Sequence, residues 1–305
     1  LAFCRYCLVI RFLFCLYNTI IMSATDYFLN PYNWSFIGFL FLIAFILAYL
    51  LLFKTTSIQK VLFCTAMVLM YLVLGSPISN LTNYGLHSIS MLQHIVLLMV
   101  SPILIIKSLP LKSIDNKFFN KLGVFNQPKK YFILIWIIGA LVMWLGHFLS
   151  AAIMSSKYGL VICGINIPKN SFLLQIPEVS IYTLLFLAGF LMTLPVFHPN
   201  KNKRLHPVKS VMYLFTACIS CSILGLYVTF MASSTSMAEA IPIFASFRNP
   251  MPMSVRTDQE IAGLMMWVPS CILYVISSVE ILFHWYDDNP AIDEIQQLKA
   301  SLSDK

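Results

Sequence analysis

The sequence predicts an all-α fold: a polytopic membrane helix bundle of about seven transmembrane helices, N-terminus outside and C-terminus cytoplasmic. Three observations lead there. Hydrophobic residues fill 59% of the 305 positions and charged residues only 10%, where a soluble domain carries about a quarter charged. The charges gather in short clusters between apolar runs of roughly 17–25 residues, the length that crosses a bilayer as a helix. Finally, the clusters alternate between rich and poor in lysine and arginine, which fixes orientation.

Taken in chain order, the spans fall near 35–53, 60–76, 87–107, 131–151, 178–197, 209–231 and 259–286. The second is short. The third opens with His87 and carries Pro102, the fifth closes on Pro195, and the seventh contains Pro269, so bends are expected in these helices. Loops after the first, third and fifth spans hold twelve basic residues, among them Lys54, Lys60, Lys107, Lys112, Lys129, Lys201 and Arg204. The opposite loops hold four: Lys157, Lys169, Arg248 and Arg256. The first set is therefore cytoplasmic. Residues 35–286 form a single transmembrane domain with no soluble domain attached. Residues 1–34 precede it and begin with Arg5 and Arg11 before a short apolar run, a signal-like pattern or a mis-assigned start ahead of Met22. Residues 287–305 form an acidic cytoplasmic tail containing Asp287, Asp288, Asp293 and Glu294.

Composition also excludes function classes. The net charge of +8 is accounted for by topology, so membrane lipid rather than nucleic acid is the expected partner. Cys64, Cys218, Cys221 and Cys271 lie inside apolar runs, and Cys4, Cys7 and Cys15 crowd the N-terminus. No disulfide framework of the secreted kind is visible, and no essential structural disulfide is expected. There is no phosphate-cradling glycine loop, nucleophile elbow or HExxH motif. Nor are there the repeated mid-helix histidine pairs of a two-haem bundle. A non-enzymatic role is expected.

Orientation turns scattered polar residues into one location. His87 and His94 are seven residues apart, so both rings leave the third helix in nearly the same direction, ~10 Å apart along the axis. His147 lies at the outer end of the fourth span, Glu178 at the start of the fifth, and Asp258, Glu260, Met265 and Met266 at the start of the seventh. Ionisable groups within spans are costly and point to function. Imidazole, thioether and carboxylate together suit copper, methionine favouring the cuprous state; Met231, Met237, Met251 and Met253 add to the outer side. Each group also has an ordinary use. His87 suits the interface, Glu178 and Glu260 suit helix dipoles, and Asp258 suits an N-cap. His198 and His206 flank a basic loop and are expected to be solvated. Glu280 and His284 suggest an interhelical or interfacial pair. Cys218 and Cys221, in "CISC", share a helix face and suit close packing or transient Cu(I) binding.

Three stretches, "SISMLQHIVLLMVSPILIIKSLP" (88–110), "MWLGHFLSAAI" (143–153) and "DQEIAGLMMWVPS" (258–270), together resemble the CtaG family of cytochrome c oxidase assembly factors. "YLFTACISCSILGLYVTF" (213–230) extends the likeness to about residues 35–286. The resemblance implies a seven-span protein of the bacterial cytoplasmic membrane that matures a haem–copper oxidase by handling copper on the outer face. Oxidase subunits are then its partners, with a copper chaperone a further candidate. By position the matches are His94, His147, Asp258 and Gln259, with Met91, Trp267 and Pro269 as scaffold. Where the family has a histidine before the methionine of "MLQH" this chain has Ser90, and the Glu–His pair of span five is reduced to Glu178. The expected copper site is His94, His147 and Asp258, with His87 and Met265 or Met266 as auxiliaries. A copper transporter would need a polar path below His94, where span three offers only Ser101. A metal-free scaffold would instead pair His147 with Glu178 or Asp258. A seven-span receptor is the remaining reading.

Overall fold

The computed structural model describes residues 27–84, 86–110, 127–155, 160–162, 165–167, 172–234, 240–242 and 252–287, and of these only the backbone is described at 83–84, 149–178 and 231–255. Each predicted span is a helix: α1 Phe36–Leu52, α2 Ser57–Leu74, α3 from His87 to Ser108, α4 Phe132–Ser155, α5 Phe172–Phe197, α6 Pro207–Ser234 and α7 Val255–Asp287. Two antiparallel hairpins of three-residue strands, β1 Leu160–Ile162 with β2 Ile165–Ile167 and β3 Ala240–Pro242 with β4 Pro252–Ser254, join α4 to α5 and α6 to α7. Among the described residues, five helices are long and apolar enough to cross a membrane: Ser57–Asn80, His87–Ser108, Val179–Phe197, Pro207–Phe230 and Arg256–Asp287. The apolar helices Phe36–Leu52 and Phe132–Phe148 are shorter. Residues 1–26 and the tail beyond 287 lie outside the described residues.

The outer surface of the bundle is apolar, and several polar side chains are buried within its otherwise apolar core. Phe36, Leu51, Leu52, Leu145, Phe230 and Phe283 are exposed, while Gln93, His94, Ser101, His147 and Asp258 are buried. A soluble domain would reverse this; lipid tails permit it because apolar surface gains nothing by leaving them. Helix α3 is the central element, 72% buried against 17–39% for the other four long helices.

Local sequence explains the elements. In α2, Thr56 and Gln59 form a reciprocal capping box, so two orphan N–H groups of the first turn are satisfied. Ser35 caps α1 by accepting from Gly38 N–H. Helix α3 is not regular: Val96–Val100 is a π-helical turn, and Ser101 N–H donates to Val96 O, five residues back. Pro102 is the cause we assign. It has no N–H for the carbonyl of Leu98, and its ring crowds that turn.

Glycines set the closest approaches. A Cβ on Gly189 of α5 would lie 2.0 Å from Leu98 O of α3, so the proline-disturbed turn and the glycine fit together. A Cβ on Gly263 of α7 would lie 2.0 Å from Thr229 Oγ1 and 2.6 Å from Gly225 O of α6. Such small-residue contacts let backbones approach where no hydrophobic force drives helix association. At the end away from the hairpins, Tyr49 OH donates to Ser108 O at 2.7 Å and its ring stacks on Phe63.

Also at that end, Lys107 of α3 pairs with Glu280 of α7 at 2.7 Å and lies over the Phe197 ring. The interhelical pair expected for Glu280 is therefore made with Lys107, while His284 Nδ1 meets Glu280 O. Both pair members keep partial solvent contact, with side-chain exposures of 27% and 39%. Lys107→Ala is expected to cost no more than about 1 kcal/mol, and Lys107→Glu with Glu280→Lys to restore the thermal midpoint in detergent. The expectation that His198 is solvated is corrected. It is buried at the end of α5, where its Nδ1 accepts from Asn200 N–H at 3.0 Å. His206 is exposed, as expected.

Candidate metal centre

The site begins with how α3 is held. Its N-cap position is Leu86, which has no side chain able to cap, so the first N–H groups need an acceptor from elsewhere. Asp258 of α7 supplies it: Oδ2 accepts from His87 N–H at 2.6 Å, and Oδ1 accepts from Ser88 N–H at 3.2 Å and from Ser88 Oγ at 2.6 Å. A carboxylate at a helix N-terminus also opposes the helix dipole. Two turns' distance below, Gln93 clamps three helices. Its Nε2 donates to Val73 O of α2 at 2.8 Å, and its Oε1 accepts from Tyr182 OH of α5 at 2.7 Å. These contacts fix the rotation of α3, and with it the direction taken by the next residue, His94.

His94 meets His147 of α4, their ring centroids 6.3 Å apart and the planes 70° to one another. Both are buried, and His94 Nε2 and His147 Nδ1 have no hydrogen-bond partner. Between them is a cavity of about 10 Å³, room for one water-sized occupant. Met99, Met143, Met266 and Cys221 line it with the two histidines. Cys221 Sγ donates to Met143 Sδ at 3.3 Å. Leaving a buried polar atom unpaired costs roughly 1–3 kcal/mol, and two such atoms beside one small cavity call for an occupant.

The expected ligands divide accordingly. His94 and His147 are brought together, and Met266 joins them. Met265 packs on the surrounding core from a partly buried position and does not line the cavity. Asp258 is also absent from the lining: it caps a helix, though α3 rather than its own. His87 provides a backbone N–H to that cap and does not line the cavity. Glu260 pairs with Arg256 on the surface of α7 at 2.9 Å. The side chains of Glu178, Met231, Met237, Met251 and Met253 lie outside the described residues. Among the described residues no three His, Cys, Asp or Glu side chains converge to hold an ion. An ion held here would find two imidazole donors at most, and any further donors would be the sulfur atoms that line the cavity.

Met99 and Met143 were not anticipated, and Cys221 was expected to pack or bind Cu(I) with Cys218 rather than to line the histidine cavity. Met143 had a signal, since it is four residues before His147 and shares its helix face. Met99 had none, because a residue five positions on from His94 leaves a regular helix in another direction and only the π turn changes that, while α6 brings Cys221 to the histidines through tertiary packing alone.

An apolar-surfaced helical bundle with a buried imidazole–thioether cavity defines an integral membrane protein organised around an internal polar site. The chain belongs to the cytochrome c oxidase caa3 assembly factor family, Caa3_CtaG, whose family model matches residues 43–288. No curated protein and no solved structure matches it.

Proposed function

We propose that this chain is a seven-span, non-enzymatic assembly factor of the bacterial cytoplasmic membrane. In this reading it holds Cu(I) between His94 and His147 for delivery to a haem–copper cytochrome c oxidase. The observation that carries the reading is the pair of buried, unpartnered imidazole nitrogens, His94 Nε2 and His147 Nδ1, on residues that line one sulfur-rich cavity. Neutral imidazole is a good ligand for the ion, and the soft thioethers of Met143 and Met266 favour the cuprous state. Asp258 and Gln93 are positioning residues, which hold α3 so that His94 reaches the cavity.

The basic-loop bias puts the hairpin end outside, with the N-terminus outside and the tail inside. Helices α1 and α4 complete the seven spans with apolar segments near the lower length limit. A metal-free scaffold would use its histidines in hydrogen bonds; the unpartnered Nδ1 of His147 and the commitment of Asp258 to α3 weigh against it. Oxidase subunits and a copper chaperone would be the partners.

The test is the copper content of protein purified from copper-replete membranes, beside a His94→Ala/His147→Ala variant. The native protein is expected to hold one ion per chain more than the variant. Equal copper in both, or none in the native protein, would overturn the site.

A further inference from the structure

Next to the cavity lies a second group of sulfur atoms that the histidine site does not use. Cys218 of α6 and Cys271 of α7 face each other across the α6–α7 seam, with Sγ atoms 3.0 Å apart. Ser222 Oγ is 3.5 Å from Cys271 Sγ. Both cysteines are partly buried and free. One turn along α6, Cys221 lines the cavity and touches Met143. Cys271, Cys218, Cys221 and Met143 thus form a run of sulfur atoms from the α6–α7 seam to the space between the histidines.

We propose that Cys218 and Cys271 form a second Cu(I) site, a two-sulfur clamp between α6 and α7 that adjoins the cavity. Soft thiolate sulfur selects the cuprous ion. Binding breaks one S–H bond: one thiol releases its proton to water, its sulfur takes the ion as thiolate, and the second thiol donates a lone pair. No electron changes hands. Ion plus one thiolate is neutral, which matters because an uncompensated charge among lipid-facing helices is costly. Two sulfurs that share one ion stand further apart than their present separation, a movement within reach of rotation about the Cα–Cβ bonds. The sequence alone suggested pairing Cys218 with Cys221, three residues away. The helix packing chooses Cys271 instead, 53 residues distant.

The clamp is independent of the histidines, and the test separates the two sites. Full-length protein in detergent, reduced and anaerobic, is titrated with Cu(I) against a chromophoric Cu(I) chelator. Cys218→Ser/Cys271→Ser is expected to hold one ion fewer than the native chain, and Cys64→Ser the same number. His94→Ala/His147→Ala is expected to keep the clamp ion, with a copper X-ray absorption edge showing one more sulfur-only site than the Cys218→Ser/Cys271→Ser chain. If the serine variant binds as many ions as the native chain, the clamp is overturned while the histidine site stands. A Cys218–Cys271 disulfide that survives reduction would overturn it equally. Loss of an ion from the serine variant with none lost from the histidine variant would uphold the clamp and remove the histidine site.

Discussion

Gly189→Ala is expected to be the most damaging single substitution in the bundle. The added methyl would lie 2.0 Å from Leu98 O and 2.6 Å from Leu98 C. These are backbone atoms of the buried central helix and have no rotamer to escape into, so α3 and α5 must separate. Overpacking that displaces backbone costs about 3 kcal/mol, the upper end of its usual range. The damage should reach the site, because Leu98 and Met99 form one wall of the cavity. A lower thermal midpoint in detergent and loss of bound copper should therefore appear together. Gly146→Ala is the control: its Cβ would meet nothing nearer than 3.4 Å, a leucine methyl, and should be tolerated. If Gly189→Ala melts like the native chain, the close α3–α5 contact is wrong.

Asp258→Ala is expected to have the next largest effect. It removes the acceptor of three hydrogen bonds at a fully buried position. Two backbone N–H groups and one hydroxyl would be left without a partner, at about 2–4 kcal/mol for the loss of a buried, charge-assisted cap. Asp258→Asn keeps the shape and one acceptor oxygen, and should recover roughly half of the loss. The readout that separates positioning from ligation is copper. As a positioning residue, Asp258→Asn leaves the copper stoichiometry unchanged while lowering the melting temperature. A proportional fall in copper with no change in melting would make Asp258 a ligand.

Much of the fold was legible from the chain. All seven apolar runs became helices, because in a bilayer the backbone must satisfy its own hydrogen bonds and helix is the local way to do so. The interruption at Pro102 was legible as a bend, for a proline removes a donor wherever it stands in a helix; that it took the form of a π turn was not. The site was half legible. His94 and His147 stood out because an imidazole inside an apolar run is expensive, whatever surrounds it.

Their partners could not be read the same way. Met265 was chosen for lying at the same depth, Asp258 for its depth and for its match to the family, and depth is all that a span boundary conveys. Which side of α7 faces inward depends on its rotation against α6, set by the Gly225–Gly263–Thr229 contact; that rotation brings Met266 to the cavity and leaves Met265 on its margin. The carboxylate of Asp258 was drawn to α3 because Leu86 cannot cap its own helix, a demand visible only once the two helix ends are neighbours. The sequence by itself determined the helices, the membrane setting and the two imidazoles, since each follows from the local cost of burying a polar group in an apolar run. Tertiary structure alone decided which sulfur atoms surround those imidazoles and that Cys218 meets Cys271, because helix rotation and register are fixed by contacts between residues far apart in the chain.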